Sequence, residues 1–130
     1  MAIDQRCHVV DEAAVRKMVE LFYREVQLDA MLGPVFGAKL DGRWPAHLER
    51  MVDFWSSILL RTKSFQGNVY GKHMALSGIE PDHFVRWLAL FRRTVTALFT
   101  DPAAADILLV ADRIAGSLQL GFFGERSARI

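Results

Sequence analysis

The chain has 130 residues, 52% of them hydrophobic and 24% charged, which is material for one packed core over residues 1–130 and too apolar for disorder. Its 16 basic and 15 acidic residues leave a formal net charge of +1; they are spread along the chain, so there is no basic stripe to indicate nucleic acid. One cysteine, Cys7, excludes an internal disulfide, MAIDQRCHVV carries Asp4 and lacks a leader's apolar core, and no run approaches the roughly 20 apolar residues of a membrane span, so the expected compartment is the cytoplasm.

From Asp11, a residue suited to an N-cap, Val15, Met18, Val19, Phe22 and Val26 recur at three- and four-residue steps and mark one face of a first helix, with Tyr23 on its edge. LGPVF is expected to end that helix at Gly33 and Pro34, with GAKLDGRW as a loop in which Trp44 is an anchor. Pro45 suits the first turn of a second helix whose inward stripe reads His47, Met51, Phe54, Trp55 and Ile58. KSFQGNVYGKH has no strong periodicity and reads as a loop leading into one or two helical turns around His73. The chain restarts at Pro81, where His83 is expected to be exposed, and Phe84, Trp87, Leu88, Phe91, Val95 and Leu98 line a third long helix. Asp101-Pro102 opens a fourth, with Ile107, Ala111, Ile114, Leu118 and Phe122 inward. The ends, about 1–10 and 124–130 with FGERSARI, are expected to fray. No alternating segment suggests a hairpin, so the fold class is all-α.

The chemical inventory is short. There is no glycine-rich phosphate loop, no Cys-x-x-Cys, no His-Glu-x-x-His and no carboxylate pair at helical spacing on an apolar face, so hydrolytic and nucleotide chemistry have no support. What remains is Tyr23 and His47 on the apolar edges of two helices, His73 on a separate short segment, and many aromatics. A single histidine heading an apolar stripe is most often a satisfied core residue; two such histidines with a tyrosine weigh against that.

Phe22-Tyr23, LGPVF ending in Phe36, His47 leading HLERMVDFWSSILL, YGKHM with His73, and Trp87 in FVRWLALF come in an order and spacing that resembles the truncated haemoglobins, specifically their third group. The resemblance runs from about Val10 to Phe123. It extends to the absence of the paired-glycine motifs found in other truncated globins.

That resemblance implies a two-over-two helical sandwich around one haem b (iron protoporphyrin IX). His73 matches the proximal histidine bound to iron, with Lys72 beside it. On the distal side Tyr23 matches the tyrosine whose hydroxyl points at the ligand, His47 the histidine heading the distal helix, and Trp87 the indole lying along the haem. Phe36 matches the phenylalanine packed on the haem plane, and Phe22, Met51, Phe54 and Trp55 match positions walling the pocket. Arg50 and Lys72 are the expected propionate partners. Physical chemistry points the same way: a flat apolar disc needs aromatic and aliphatic walls, and a phenol or indole hydrogen can donate to the charge that builds on dioxygen.

The expected function is reversible binding of dioxygen, with nitric oxide and carbon monoxide also taken, in scavenging of oxygen or nitric oxide. Two other readings stand beside it. One is a peroxidase-like or nitric oxide dioxygenase enzyme, which needs an electron-donating reductase because nothing here encodes a flavin or nicotinamide domain. The other is a haem-free helical interaction module in which His47, His73 and Tyr23 are merely packed.

Overall fold

The computed structural model describes residues 4–130. Six helices follow one another: α1 Glu12–Leu28, α2 Leu32–Leu40, α3 Trp44–Leu60, α4 Val69–Met74, α5 Pro81–Leu98 and α6 Asp101–Phe123. The pair α1 and α3 stacks on the pair α5 and α6, with α1 against α5 joining the two layers and the short α4 resting on α6. Among the described residues no helix is long and apolar enough to cross a membrane.

α1 begins where the sequence places it, with the Ala14 N–H donating to the Asp11 carboxylate at 2.8 Å. Its stripe is buried together with Ala14 and Tyr23. Each large apolar side chain so buried contributes about 1.5–3 kcal/mol, and this face, more than intrinsic propensity, holds the helix.

The expected end of α1 at Gly33-Pro34 is corrected by the structure: α1 stops at Leu28, and Leu32–Leu40 is a helix of its own. Pro34 is the third residue of α2, where a missing N–H removes no intrahelical bond. Asp29 supplies the cap, accepting from the Met31 and Leu32 N–H groups at 3.1 and 2.9 Å. Gly33 is required by proximity, since a Cβ there would stand 2.8 Å from the Gln27 carbonyl oxygen. Much of the expected GAKLDGRW loop is therefore helical, and Trp44, expected as a loop anchor, opens α3.

In α3 the row packed on the core is Leu48, Val52, Trp55 and Leu59. His47, Met51 and Phe54 form a half-buried row beside it. Ile58 continues that second row into solvent at 38% exposure, against the expectation that it faces inward. His83 is also corrected. It is half-buried, because its ring turns back so that Nδ1 accepts the Glu80 N–H at 2.9 Å and caps α5.

Neither end frays as expected among the described residues. Residues 1–3 of the expected N-terminal fray lie outside them. Cys7 pairs with the α5–α6 junction, its N–H donating to Leu98 O at 2.7 Å and its carbonyl accepting from Thr100 N–H at 2.9 Å. At the other end Gln119, fully buried, donates to Ala128 O at 2.9 Å and accepts from Ala128 N–H at 2.8 Å and Ser127 N–H at 3.2 Å. Arg126 pairs with Asp112, which also accepts from Ile130 N–H at 3.0 Å. Ala128 is thereby buried against Phe84, Leu88, Ala115 and Leu118. A buried glutamine needs partners, and the tail's backbone provides them.

Candidate functional site

Between the layers lies a cavity of about 420 Å³, within the range of small-molecule sites. Ten of the eleven expected site residues line it: Tyr23, Phe36, His47, Arg50, Met51, Phe54, Trp55, Lys72, His73 and Trp87. Phe22 does not. It packs one layer behind, 2% exposed, with its ring edge-on to Tyr23, Trp87 and Phe91 at 5.0, 5.3 and 5.1 Å between centroids.

His73 is presented by α4, which Asn68 caps by accepting the Gly71 N–H at 2.9 Å. The imidazole Nδ1 lies 2.7 Å from the Val69 carbonyl oxygen. A carbonyl only accepts, so Nδ1 carries the hydrogen and Nε2 keeps its lone pair, the tautomer and orientation that metal-binding histidines need. Among the described residues no group of three or more His, Cys, Asp or Glu could cage a bare ion.

A second cluster stands at the α1–α2–α3 corner. The Tyr23 ring meets His47 edge-on at 5.1 Å, Phe36 at 6.1 Å and Trp44 at 6.1 Å, and Trp44 meets His47 at 6.1 Å. Burial raises the Tyr23 phenol well above its ordinary value, so the hydroxyl stays a donor. Burial also lowers the His47 value, helped by the nearby positive charge of Arg50, which favours the neutral ring. The His47 Nε2 atom is buried without any hydrogen-bond partner. An orphaned polar atom of this kind marks a place made for something that can pair with it.

Trp87 reaches the cavity from α5. Its indole stacks on Phe91 at 5.1 Å and 3° between planes, and Phe91 stacks on Trp55 at 5.1 Å and 19°. The three-ring stack fixes the indole plane. At the mouth the Arg50 guanidinium lies 5.1 Å over the Phe65 ring, a cation–π contact that restrains an otherwise mobile side chain.

No protein-family model matches the chain. It is 28% identical over 113 residues to the group 3 truncated hemoglobin ctb of Campylobacter jejuni, covering 85% of this chain and 89% of that protein. The crystal structure of group III truncated hemoglobin from Campylobacter jejuni matches with a TM-score of 0.85 at 27% identity, covering 88% of this chain and 93% of that one. The chain is similar in sequence and in fold to group III truncated haemoglobins.

Within this truncated-haemoglobin fold, several cavity residues have no distinguishing signal in the sequence. Phe65 sits in the aperiodic segment after α3, and Lys39 and Arg43 flank a turn. Ile114, Leu118 and Phe122 read as inward on α6, yet periodicity alone does not say that they face this cavity. His83 lines it too.

Proposed function

We propose that the chain is a haem protein that binds diatomic gases, with His73 as the protein ligand to iron and Tyr23, His47 and Trp87 around the gas. The observation that carries the reading is the Nδ1 contact of His73 with Val69 O. It prepares one imidazole for metal coordination in a cavity of otherwise mostly apolar side chains. Homology to truncated haemoglobins supports a globin that holds haem. Haem b fits best, because Cys7, the only cysteine, is not among the residues lining the cavity and offers no covalent attachment.

When bound, haem would supply an iron whose open position takes one diatomic molecule. Everything else falls to the chain's own groups. His73 anchors one face of the cofactor. Phe36, Met51, Phe54 and Trp55 would exclude water from its apolar body, and Arg50 and Lys72 would be the cations available to its carboxylates. Tyr23 and Trp87 offer an O–H and an N–H to a ligand that carries negative charge, which favours dioxygen, then nitric oxide, over carbon monoxide. Neutral His47 closes the distal side without placing a charge in it. Tight retention suits scavenging better than delivery.

The test is to titrate purified protein with hemin and record the Soret band. Uptake at one equivalent is expected. His73→Gly should lose the globin-like spectrum, and added imidazole should restore it. Absence of a Soret band in the wild type would favour a haem-free helical module, and an unchanged five-coordinate ferrous spectrum in His73→Gly would assign the iron ligand elsewhere.

A further inference from the structure

α4 carries His73, yet little within α4 fixes where that helix stands. It is six residues long, Val69–Met74, and none of its residues is fully buried; a helix this short does not hold itself together in water. Asn68 caps one end by accepting the Gly71 N–H, and at the other the Leu76 N–H donates to the His73 carbonyl at 2.9 Å. Those bonds shape the turn without placing it in the fold. The helix it packs against is α6.

Val69, Lys72 and His73 line the cavity. Tyr70 and Met74, four residues apart and so on one face, meet α6 at Gly121. A Cβ at residue 121 would stand 2.6 Å from the Tyr70 hydroxyl oxygen, 2.7 Å from the Met74 sulfur and 2.9 Å from a Tyr70 ring carbon. Non-bonded atoms pack best at roughly 3.5–4.0 Å, so no side chain fits there unless α4 or its two contacts move. Met74 has little room to retreat, because it packs against the cluster of Phe84, Leu88, Ala115 and Leu118. Tyr70 is 49% exposed and can yield only by swinging away from α6. Glycine inside a helix is unfavourable relative to alanine, and Gly121 lies in the last turn of α6; the closeness of α4 is what requires it.

We propose that Gly121 is a positioning residue for His73: by leaving room for Tyr70 and Met74 it sets how closely α4 lies on α6, and thereby where the His73 Nε2 meets iron. The proposal rests on the haem reading above and adds a residue on a different helix to it. His73 adjoins Met74 and follows Tyr70 by three residues, so any shift of those two contacts is passed to the imidazole.

The experiment uses haem-loaded protein and Gly121→Ala. Alanine is the better helix former, so α6 itself is not weakened. In the ferrous five-coordinate protein, the iron–histidine stretching band in resonance Raman, assigned by its loss in His73→Gly, should move to lower frequency, since an imidazole held off its best approach bonds iron more weakly. Transfer of hemin from the ferric protein to excess apomyoglobin should be about tenfold faster, the scale on which supporting residues act on metal affinity. Gly121→Ala/Tyr70→Phe, which removes the nearest of the crowded atoms, should fall between Gly121→Ala and wild type in both measurements. Gly37→Ala is the control, because a Cβ there meets nothing within 4 Å, and it should match wild type. An unmoved band in Gly121→Ala overturns the proposal even where hemin leaves faster, since the residue would then only shape the cavity wall. A band that moves equally in Gly37→Ala also overturns it. In both cases the haem reading stands. A wild type that takes up no haem, or a band that survives in His73→Gly, overturns that reading and the proposal with it.

Discussion

Replacing Tyr23 with phenylalanine removes one oxygen atom from a ring that is otherwise fixed on several sides. Phe22, Phe36, Trp44 and His47 all meet that ring within 6.1 Å between centroids, so the phenyl should keep its place and the fold should be undisturbed. The hydroxyl is protonated in its buried setting, and a hydrogen bond to a charge-bearing acceptor is worth roughly 1.5–3 kcal/mol net. At about 1.4 kcal/mol per tenfold, dioxygen should dissociate about one to two orders of magnitude faster from Tyr23→Phe. The assay is stopped-flow displacement of dioxygen from the ferrous protein, with carbon monoxide dissociation as the control, since carbon monoxide carries less charge on its outer atom and should change far less. Trp87→Phe should act in the same direction through loss of the indole N–H. Because both donors can share one acceptor, the double variant should fall short of the sum of the singles. Dioxygen rates unaltered in both singles and in the double would refute the distal-donor argument, and with it the preference for scavenging over carriage.

Three further outcomes follow from the same geometry. His47→Ala should open the distal side and speed carbon monoxide association to the ferrous protein, and the ferric wild type should lack a low-spin bis-histidine spectrum; such a spectrum that vanishes in His47→Ala would make His47 an iron ligand instead. Asp29, whose carboxylate is held below its usual range by Arg86 at 2.7 Å and by the α2 N–H groups, stabilises the fold above the unfolded carboxylate value of about 3.9 and loses that contribution as pH falls through the lower folded value. Asp29→Asn should therefore cost about 1–2 kcal/mol in denaturant melts at neutral pH, with the gap to wild type closing as pH falls from about 5 toward 2; a gap independent of pH would deny the charge any role. Gln119→Leu leaves the Ala128 and Ser127 N–H groups without partners and the Ala128 carbonyl with Arg126 alone, and should cost about 2–4 kcal/mol and expose the 124–130 tail to proteolysis, whereas a tail that stays protected would show that Arg126 and Asp112 hold it alone.

The sequence by itself determined the helical class, the starts of α1, α3, α5 and α6, and a short helical segment around His73. Helical periodicity, the Asp11 cap and prolines in first turns are local signals, set within a turn or two of chain. Its errors lie where a particular side-chain contact, and not periodicity, decides. Pro34 reads as a terminator until Asp29 is seen capping the helix it lies in. His83 reads as exposed until its capping role is known, and residues 124–130 read as frayed because nothing local announces that Gln119 is buried and waiting for them. The site divides the same way. Tyr23, His47, His73 and Trp87 could be named in advance, but four helices bring them together, and only that packing decided that Phe22 stands behind the wall and Phe65 within it. Short-range rules fix what each segment prefers; which groups end as neighbours depends on how the helices pack.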